Sequence, residues 1–178
     1  MGSQSGFPGL QPAYIIKVNV GQGNPVGDVY TGSSFVHYNT PTGSITTVDG
    51  FEPKIEADVV FGGDWLYFDP DKERARINVK AVAKMYADEC IHVYSELLME
   101  RGIAKVNDEI RKIFAGHPDA RTIPFGQSTT IHTFEVGNPE YSDLQNSSWA
   151  GNGRFVLADG KLTVESRVSK VVPSTDMD

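Results

Sequence analysis

The sequence is short of cysteine, because Cys90 is the only one among its 178 residues. A single thiol cannot form an intrachain disulfide, and it cannot supply a zinc site built on several cysteines. The histidines are scattered, with neither an H-x-H nor an H-E-x-x-H spacing. A metal site of His37, His92 and His132 on neighbouring strands is one alternative. We favour surface or hydrogen-bonded structural histidines, and we predict no metal.

Positive charge is also scarce. Lys and Arg number 16 against 23 Asp and Glu, which gives a formal net charge of −7 and a pI near 5.0. Because no basic stripe is present to neutralise phosphates, nucleic acid and anionic membrane are excluded as expected partners. No apolar run approaches the ~20 residues that span a bilayer. Residues 1–14 hold no apolar segment of the signal-peptide kind, so we expect a cytoplasmic protein.

Contiguous catalytic motifs are absent as well. The sequence has no phosphate-binding loop, no glycine-rich dinucleotide turn and no G-x-S-x-G elbow. What it has in quantity is glycine and proline, 18 and 10 residues, which separate many short stretches of β pattern. About eight or nine strands without a βαβ rhythm predict an antiparallel barrel or sandwich. We expect a disordered arm at residues 1–12, one barrel domain at 13–172 and a disordered tail at 173–178.

One segment changes from strand to helix periodicity. Its apolar residues fall at helical spacing, and Asn107 is in place to cap the first turn. These apolar residues are Val106, Ile110, Ile113 and Phe114. A short amphipathic helix of this kind can lie across an open end of a barrel, and for that reason we prefer the barrel to the sandwich.

The central feature of the chain is a predicted β-hairpin from Ala75 to Leu98, with a polar turn at residues 86–89. Both strands alternate in polarity, which gives the hairpin two different faces. One face carries five side chains that titrate or form hydrogen bonds: Asn78, Lys80, His92, Tyr94 and Glu96. Such a face is either a solvated sheet surface or the lining of a barrel lumen. The surplus of aromatic residues favours the lumen, so we expect Lys80, His92 and Tyr94 to point inward.

Other candidate side chains lie outside the hairpin. Asp64 and Trp65 follow two glycines, where an aspartate either acts as a base at a barrel rim or caps a turn. Glu135 and Arg154 lie on strands that are close in sequence. A salt bridge between them is the plainer alternative to a catalytic role.

Several short motifs follow one another along the chain in a recognisable order and spacing. They are Phe61-Gly62-Gly63-Asp64-Trp65, Asp69-Pro70, Thr122-Ile123-Pro124-Phe125-Gly126, Phe134-Glu135 with Tyr141 and Leu144, Gly151-Asn152-Gly153-Arg154-Phe155, and Val164-Glu165-Ser166-Arg167-Val168. From about Tyr14 to Val172 the chain resembles a family of small β-barrels, known as a domain of unknown function (a DUF family) in bacteria and fungi. The hairpin turn at residues 86–89 departs from the Thr-Asp-Asp-Gly-like sequence usual there, and Lys80 stands where relatives often carry Arg.

The resemblance implies a reaction. A characterised family member is a fungal enzyme of phenalenone biosynthesis on the herqueinone route, which adds a phenol to the olefin of a reverse-prenyl group. This intramolecular, enantioselective hydroalkoxylation gives a dihydrobenzofuran. We therefore expect a cofactor-free cyclase that acts on a prenylated aromatic polyketide in fungal secondary metabolism. The alternative is a non-catalytic barrel that binds or carries an aromatic small molecule, and a homo-oligomer is left open.

For this reaction we predict catalytic and substrate-binding residues. The catalytic set is Lys80, His92, Glu135 and Asp64, and the substrate-binding set is Trp65, Tyr94, Phe134 and Arg154. A phenol must lose a proton while an alkene gains one, so a base and an acid must face a bound flat aromatic. In this hypothesis Lys80 stabilises the phenolate and His92 takes or relays its proton. Glu135 or Asp64, kept protonated by burial, donates to the alkene.

Overall fold

The computed structural model describes residues 5–86 and 93–175, with the backbone alone described at residues 86 and 93–97. Strands dominate these residues, so the prediction of a mainly β protein is confirmed. The strands are β1 (Gly9–Val20), β2 (Gly23–Asp28), β3 (Ser34–Asn39), β4 (Thr42–Thr47), β5 (Glu56–Phe68), β6 (Arg74–Tyr86), β7 (Val93–Lys105), β8 (Ser128–Val136), β9 (Trp149–Ala158) and β10 (Lys161–Val172). Two short helices, α1 (Asp108–Phe114) and α2 (Ser142–Gln145), and a 3₁₀ turn at Pro139–Tyr141 complete the described elements.

Eight of the described strands form an antiparallel ring. Its order is β1-β4-β5-β6-β7-β8-β9-β10, and β10 pairs again with β1. On one edge of β5, residues 56–59 pair with β4 and residues 63–68 pair with β3. β2 pairs with β3 and lies outside the ring. Closing a sheet on itself pairs the backbone groups that a free edge would expose. The predicted antiparallel barrel is confirmed.

The hairpin at the centre of the chain is longer than the sequence indicates. β6 and β7 pair from Arg74 with Lys105 to Tyr86 with Val93. The inward positions of β6 are small or apolar, while Lys80 is exposed and pairs with Met99. The expectation that Lys80 points into the barrel is therefore wrong. A lysine keeps its ammonium group in water unless a partner compensates its burial.

The predicted helix is confirmed as α1. Its cap is the expected one, because the Asn107 Oδ1 accepts a hydrogen bond of 3.0 Å from the backbone N–H of Ile110. Ile110 and Ile113 are buried, and they pack against apolar residues from β5, β6, β7 and β9. The apolar face of α1 therefore covers part of the barrel interior. No described helix is long and apolar enough to cross a bilayer.

The N-terminal segment departs from its prediction. Residues 9–12 were expected in a disordered arm, but β1 begins at Gly9 and pairs these residues with residues 169–172 of β10. At the C-terminal end of β10, Val171 and Val172 pair with Leu10 and Gly9. The ladder therefore continues beyond the buried part of β1. A paired backbone needs no apolar side chains of its own, and the polar composition of the arm concealed this pairing.

The interior of the barrel has two apolar clusters. One is rich in aromatic rings that meet edge to face, including Tyr14 with Phe51 at 5.3 Å and Phe134 with Trp149 at 5.9 Å between ring centroids. The other joins α1 to the strands and includes Phe155 and the partly buried Phe114, whose ring centroids lie 6.0 Å apart. Polar inward side chains lie between these clusters, where they line a cavity.

Candidate functional site

A cavity of about 50 Å³ lies between the two clusters. Strand side chains such as Ile16 and Leu66 line it, and Ile110 and Phe114 of α1 cover it. Among these apolar residues stand two carboxyl groups and four hydroxyls, from Asp64, Glu100, Tyr38, Thr40, Ser128 and Ser166. Within the described lining there is no Lys, Arg or His side chain. The chemistry of the cavity therefore depends on the two acids.

Glu100 is the more deeply buried acid. It points inward from β7 with 4% of its surface exposed. Burial raises the pKa of Glu100 to about 8, and the negative charge of Asp64 contributes to that rise. A hydrogen bond from the Thr130 hydroxyl opposes the rise without cancelling it. Glu100 is therefore mostly a neutral carboxylic acid at pH 7.

Asp64 is the more exposed of the pair. It points into the cavity from β5, and its carboxyl accepts a hydrogen bond of 3.0 Å from the backbone N–H of Asn78. Burial raises the pKa of Asp64 to about 6, and the Asn78 hydrogen bond limits the rise. Asp64 is therefore mostly a carboxylate at pH 7. One cavity thus holds a proton acceptor and a proton donor, which is how paired carboxyls divide acid and base roles in enzymes.

Two hydroxyl groups stand beside these acids. Burial, together with the charge of Asp64, raises the pKa of the Tyr38 phenol, which keeps it protonated. The Tyr38 ring also contacts Phe114 of α1, at 5.5 Å between centroids. Thr40 is buried, and its Oγ1 has no hydrogen-bond partner among the described residues. Both hydroxyls are in place to orient a polar group of a ligand.

Of the predicted site residues whose side chains the structure describes, only Asp64 lines the cavity. Lys80 and Glu135 are exposed on the outer surface. Trp65 is also on the outer surface, against His37 at 5.0 Å between ring centroids. Each of these three side chains stands next to a buried apolar residue, which is Ala81, Phe134 and Leu66 respectively, and successive side chains of a strand point to opposite faces.

Two other predicted residues have structural partners. Phe134 is buried in the aromatic cluster and is not part of the cavity lining. Arg154 pairs with Glu165 at 2.7 Å and lies over the Phe125 ring at 4.7 Å. The expected salt bridge of Arg154 with Glu135 is therefore wrong, because β10 supplies the acid that lies opposite Arg154 in register. The last two predictions, His92 and the Tyr94 side chain, lie outside the described residues.

The alternative metal site is not assembled in the described part of the chain. His132 is fully buried inside the barrel, whereas His37 packs on the outer surface against Trp65. The described residues contain no group of three or more His, Cys, Asp or Glu side chains arranged to hold a metal ion.

Glu100 was missed because the predicted strand stopped at Leu98. The observed strand continues to Lys105, and every second residue from Leu98 to Ala104 faces inward. A glutamate in the inward phase of such a strand is the signal that identifies it. β8 alternates in the same way, and its inward residues are Ser128, Thr130, His132 and Phe134. The first three are polar and the last is aromatic.

The protonated state of Glu100 predicts a loss of stability in mildly alkaline solution. In the unfolded chain this group loses its proton near its ordinary pKa of 4.5, but the folded chain retains it up to about pH 8. Above pH 4.5 the unfolded state binds fewer protons, so rising pH favours unfolding by about 1.4 kcal/mol per pH unit. From pH 6.5 to pH 8 we expect the unfolding free energy to fall by about 2 kcal/mol.

Urea unfolding at several pH values measures this effect. The Glu100→Gln variant should lose the decline between pH 6.5 and pH 8, while Glu56→Gln, an exposed glutamate of β5, should retain it. His132 and Asp64 are present in both variants, so their contributions between pH 6.5 and pH 8 are common to the two curves. An equal decline in both variants would contradict a neutral Glu100.

Comparisons with known proteins identify the family of the chain and proteins that share its fold. A family described as "Protein of unknown function (DUF3237)" matches residues 8–171. No curated protein matches the sequence at a significant level. Because the family match spans nearly the whole barrel, family and fold agree on the same part of the chain.

Solved structures share this fold at low sequence identity. A conserved protein of unknown function from Rhodopseudomonas palustris has a TM-score of 0.72 at 18% identity, covering 95% of this chain and 100% of its own. A β-barrel-like protein from Acinetobacter baumannii has a TM-score of 0.67 at 13% identity, with 96% and 99% covered. A structure described as an enzyme from Penicillium herquei has a TM-score of 0.51 at 15% identity, with 94% and 99% covered.

Proposed function

We propose a function from the premise that this chain belongs to the DUF3237 family: it is a cofactor-free cyclase that uses Asp64 and Glu100 as its base and acid. The observation that carries the proposal is one cavity lined by both carboxyl groups, where burial raises the pKa of Asp64 to about 6 and that of Glu100 to about 8. Intramolecular hydroalkoxylation needs such a pair, since a phenol must lose a proton and an alkene must gain one. The addition is redox-neutral, so its balance requires no electron carrier.

Asp64 and Glu100 together account for every proton transfer in the reaction. The Asp64 carboxylate takes the phenol proton, and the Glu100 carboxylic acid gives its proton to the terminal carbon of a reverse-prenyl olefin. The phenol oxygen then bonds to the internal olefin carbon, and a five-membered dihydrobenzofuran forms with unchanged mass. Asp64 ends protonated and Glu100 ionised, and one proton returned from Asp64 to Glu100 restores the starting state.

The charge of the cavity favours an uncharged substrate. Two acids without a positive side chain in the described lining disfavour carboxylates and phosphates, whereas a neutral phenol with an alkenyl chain meets apolar walls and hydroxyl groups. The resemblance to the fungal hydroalkoxylation enzyme suggests a prenylated phenalenone as the substrate. The structural neighbour from Penicillium herquei, which is described as an enzyme, is consistent with a catalytic function for this fold. We propose that the reaction belongs to cytoplasmic polyketide metabolism.

The size of the cavity adds a requirement for binding. A volume of about 50 Å³ holds a few water molecules, while pockets for drug-sized ligands are about 300–1,000 Å³. A phenalenone therefore has to displace part of the cover. Ile110 and Phe114 of the short helix α1 form that cover, and we propose that outward movement of α1 enlarges the site.

Incubation with a reverse-prenylated phenalenone tests the proposal. The expected result is one enantiomer of a cyclic ether of unchanged mass, formed by the unsubstituted protein with chelator present. The Glu56→Gln protein is a control that should give the same product. Tight binding of the phenalenone without conversion would overturn the cyclase and support the alternative, a barrel that carries an aromatic molecule.

A further inference from the structure

Glu100 belongs to a connected row of three polar side chains, and the other two, Thr130 and His132, are not part of the described cavity lining. Glu100 on β7 lies opposite His132 on β8 in the strand register. The Thr130 hydroxyl lies 2.8 Å from the His132 Nε2, and the same hydroxyl hydrogen-bonds to Glu100. Thr130 is 3% exposed and His132 is fully buried. The row therefore links the acid of the cavity to a histidine that is not part of the described cavity lining.

The neighbouring strand leaves room for this row. Gly151 of β9 packs against it, and a Cβ atom at that position would lie 2.4 Å from both the His132 Nε2 and the Thr130 Oγ1. Any side chain there would force the row apart, because real Cβ contacts are not that short. A glycine within a strand often marks such a close approach. The space for the hydrogen bond is thus built into β9.

The surroundings of His132 indicate where its proton sits. Burial lowers the pKa of His132 to about 4, so the ring is neutral at pH 7 and carries one N–H. Its Nδ1 has no hydrogen-bond partner among the described residues. A buried N–H without a partner is rarer in proteins than a buried acceptor without one. The proton therefore belongs on Nε2, which donates to the Thr130 oxygen.

This assignment fixes the direction of the whole row. Because the Thr130 oxygen accepts from His132, the Thr130 hydroxyl hydrogen points to the Glu100 carboxyl. We infer that His132 and Thr130 together hold one Glu100 oxygen as a hydrogen-bond acceptor and thereby place the acidic proton of Glu100 on its other oxygen, available to the cavity. His132 is then a positioning residue of the proposed reaction, and this inference rests on the proposed function for its catalytic consequence.

The same row helps Glu100 release its proton. As the carboxyl becomes negative, the hydrogen bond from Thr130 changes from a neutral to a charge-assisted one, which is about twice as strong. Without the histidine, the Thr130 hydroxyl can rotate and accept the Glu100 proton, which turns that proton away from the cavity. Removing His132 should therefore raise the pKa of Glu100 as well as slow proton transfer.

Nitrogen NMR of the substrate-free protein tests the assignment directly. With imidazole-labelled histidine at pH 7, the His132 signals should show a neutral ring protonated on Nε2, identified by their loss in His132→Leu. A ring protonated on Nδ1, or a charged ring, would overturn the inference. This measurement requires no activity, so it stands whether or not the protein is a cyclase.

Carbon NMR of labelled glutamate carboxyls tests the effect on Glu100, assigned with Glu100→Gln. His132→Leu should move the Glu100 titration to higher pH, and His132→Gln, whose amide can donate from nearly the same place, should leave it close to that of the unsubstituted protein. The other titratable groups facing Glu100 from the described lining are Asp64 on β5 and Tyr38 on β3. Repeating the titration in Asp64→Asn separates their contribution.

If the protein cyclises the phenalenone, His132→Leu and Thr130→Val should each lower turnover about tenfold, the value of one charge-assisted hydrogen bond. His132→Gln and Thr130→Ser should restore most of the loss. Thr130→Val is nearly isosteric and keeps the test valid if His132→Leu fails to fold. An unmoved Glu100 titration in Thr130→Val would overturn the inference, whereas absent turnover with a shifted titration would overturn only the proposed function.

Discussion

Replacing Glu100 with glutamine is expected to lower cyclisation turnover by about 10²- to 10⁴-fold, the range typical for loss of a general acid. The amide matches the neutral carboxylic acid in size and polarity, so the variant should fold, but it cannot deliver a proton to an alkene. Its thermal stability near neutral pH should equal or exceed that of the unsubstituted protein. Glutamine avoids the free-energy cost of keeping a buried carboxyl protonated above its ordinary pKa. Single-turnover assays with a reverse-prenylated phenalenone measure the change.

A matched control separates this effect from a general change of charge. Glu56→Gln also removes one carboxylate, from the exposed side of β5, and should turn over within a few-fold of the parent. If Glu100→Gln kept comparable turnover, the proton donor would have to be another group of the cavity, and the hydroxyl of Tyr38 would be the next to test.

Replacing Asp64 with asparagine is expected to remove the base and to change the pH dependence in a specific way. In the unsubstituted protein turnover should rise as the pH passes about 6, where Asp64 ionises, and fall as it passes about 8, where Glu100 loses its proton. Asp64→Asn should lose the rise and about 10²- to 10⁴-fold in turnover. Because the Asp64 charge raises the pKa of Glu100, the remaining fall should move to lower pH.

The pH–rate profile of residual turnover measures both parts of this prediction. Asp58→Asn, an exposed aspartate on the same strand, should leave the two limbs where they are. A profile of Asp64→Asn that kept its rise near pH 6 would mean that a different group accepts the phenol proton. A fall that stayed at pH 8 would mean that Asp64 and Glu100 do not interact.

Local patterns in the sequence predicted the elements of this fold well. Alternating polarity identified β6, and helical spacing with Asn107 identified α1. The pair Asp159-Gly160 is likewise typical of a two-residue hairpin turn. In the structure Asp159 and Gly160 have φ angles of +51° and +71°, as the turns that match strand twist require. Each of these signals lies within about ten residues and depends on backbone preferences that act locally.

The candidate site could not be predicted in the same way. Alternation shows that a strand has two faces, but it does not show which of them a barrel encloses, and a shift of one residue exchanges them. For β6 the enclosed face is the one with Ala81 and Ala83, and Lys80 is outside. The acids Asp64 and Glu100 are 36 positions apart on strands that do not pair directly. Both lie opposite Val79 of β6, so their meeting depends on the registers of two strand pairs, β5 with β6 and β6 with β7.

The terminal strand of the described sheet affects how copies of the protein behave in concentrated solution. Among the described strands β2 pairs with β3 alone, so its other edge is open to pairing with a strand of another molecule. Pro25 has no N–H to offer such a strand, and the pairing register shifts between Pro25 and Gly27, which bends the edge. A kinked edge that lacks a donor is a poor template for strand addition. This hairpin should therefore resist seeding fibrils, even at concentrations where an open sheet would aggregate.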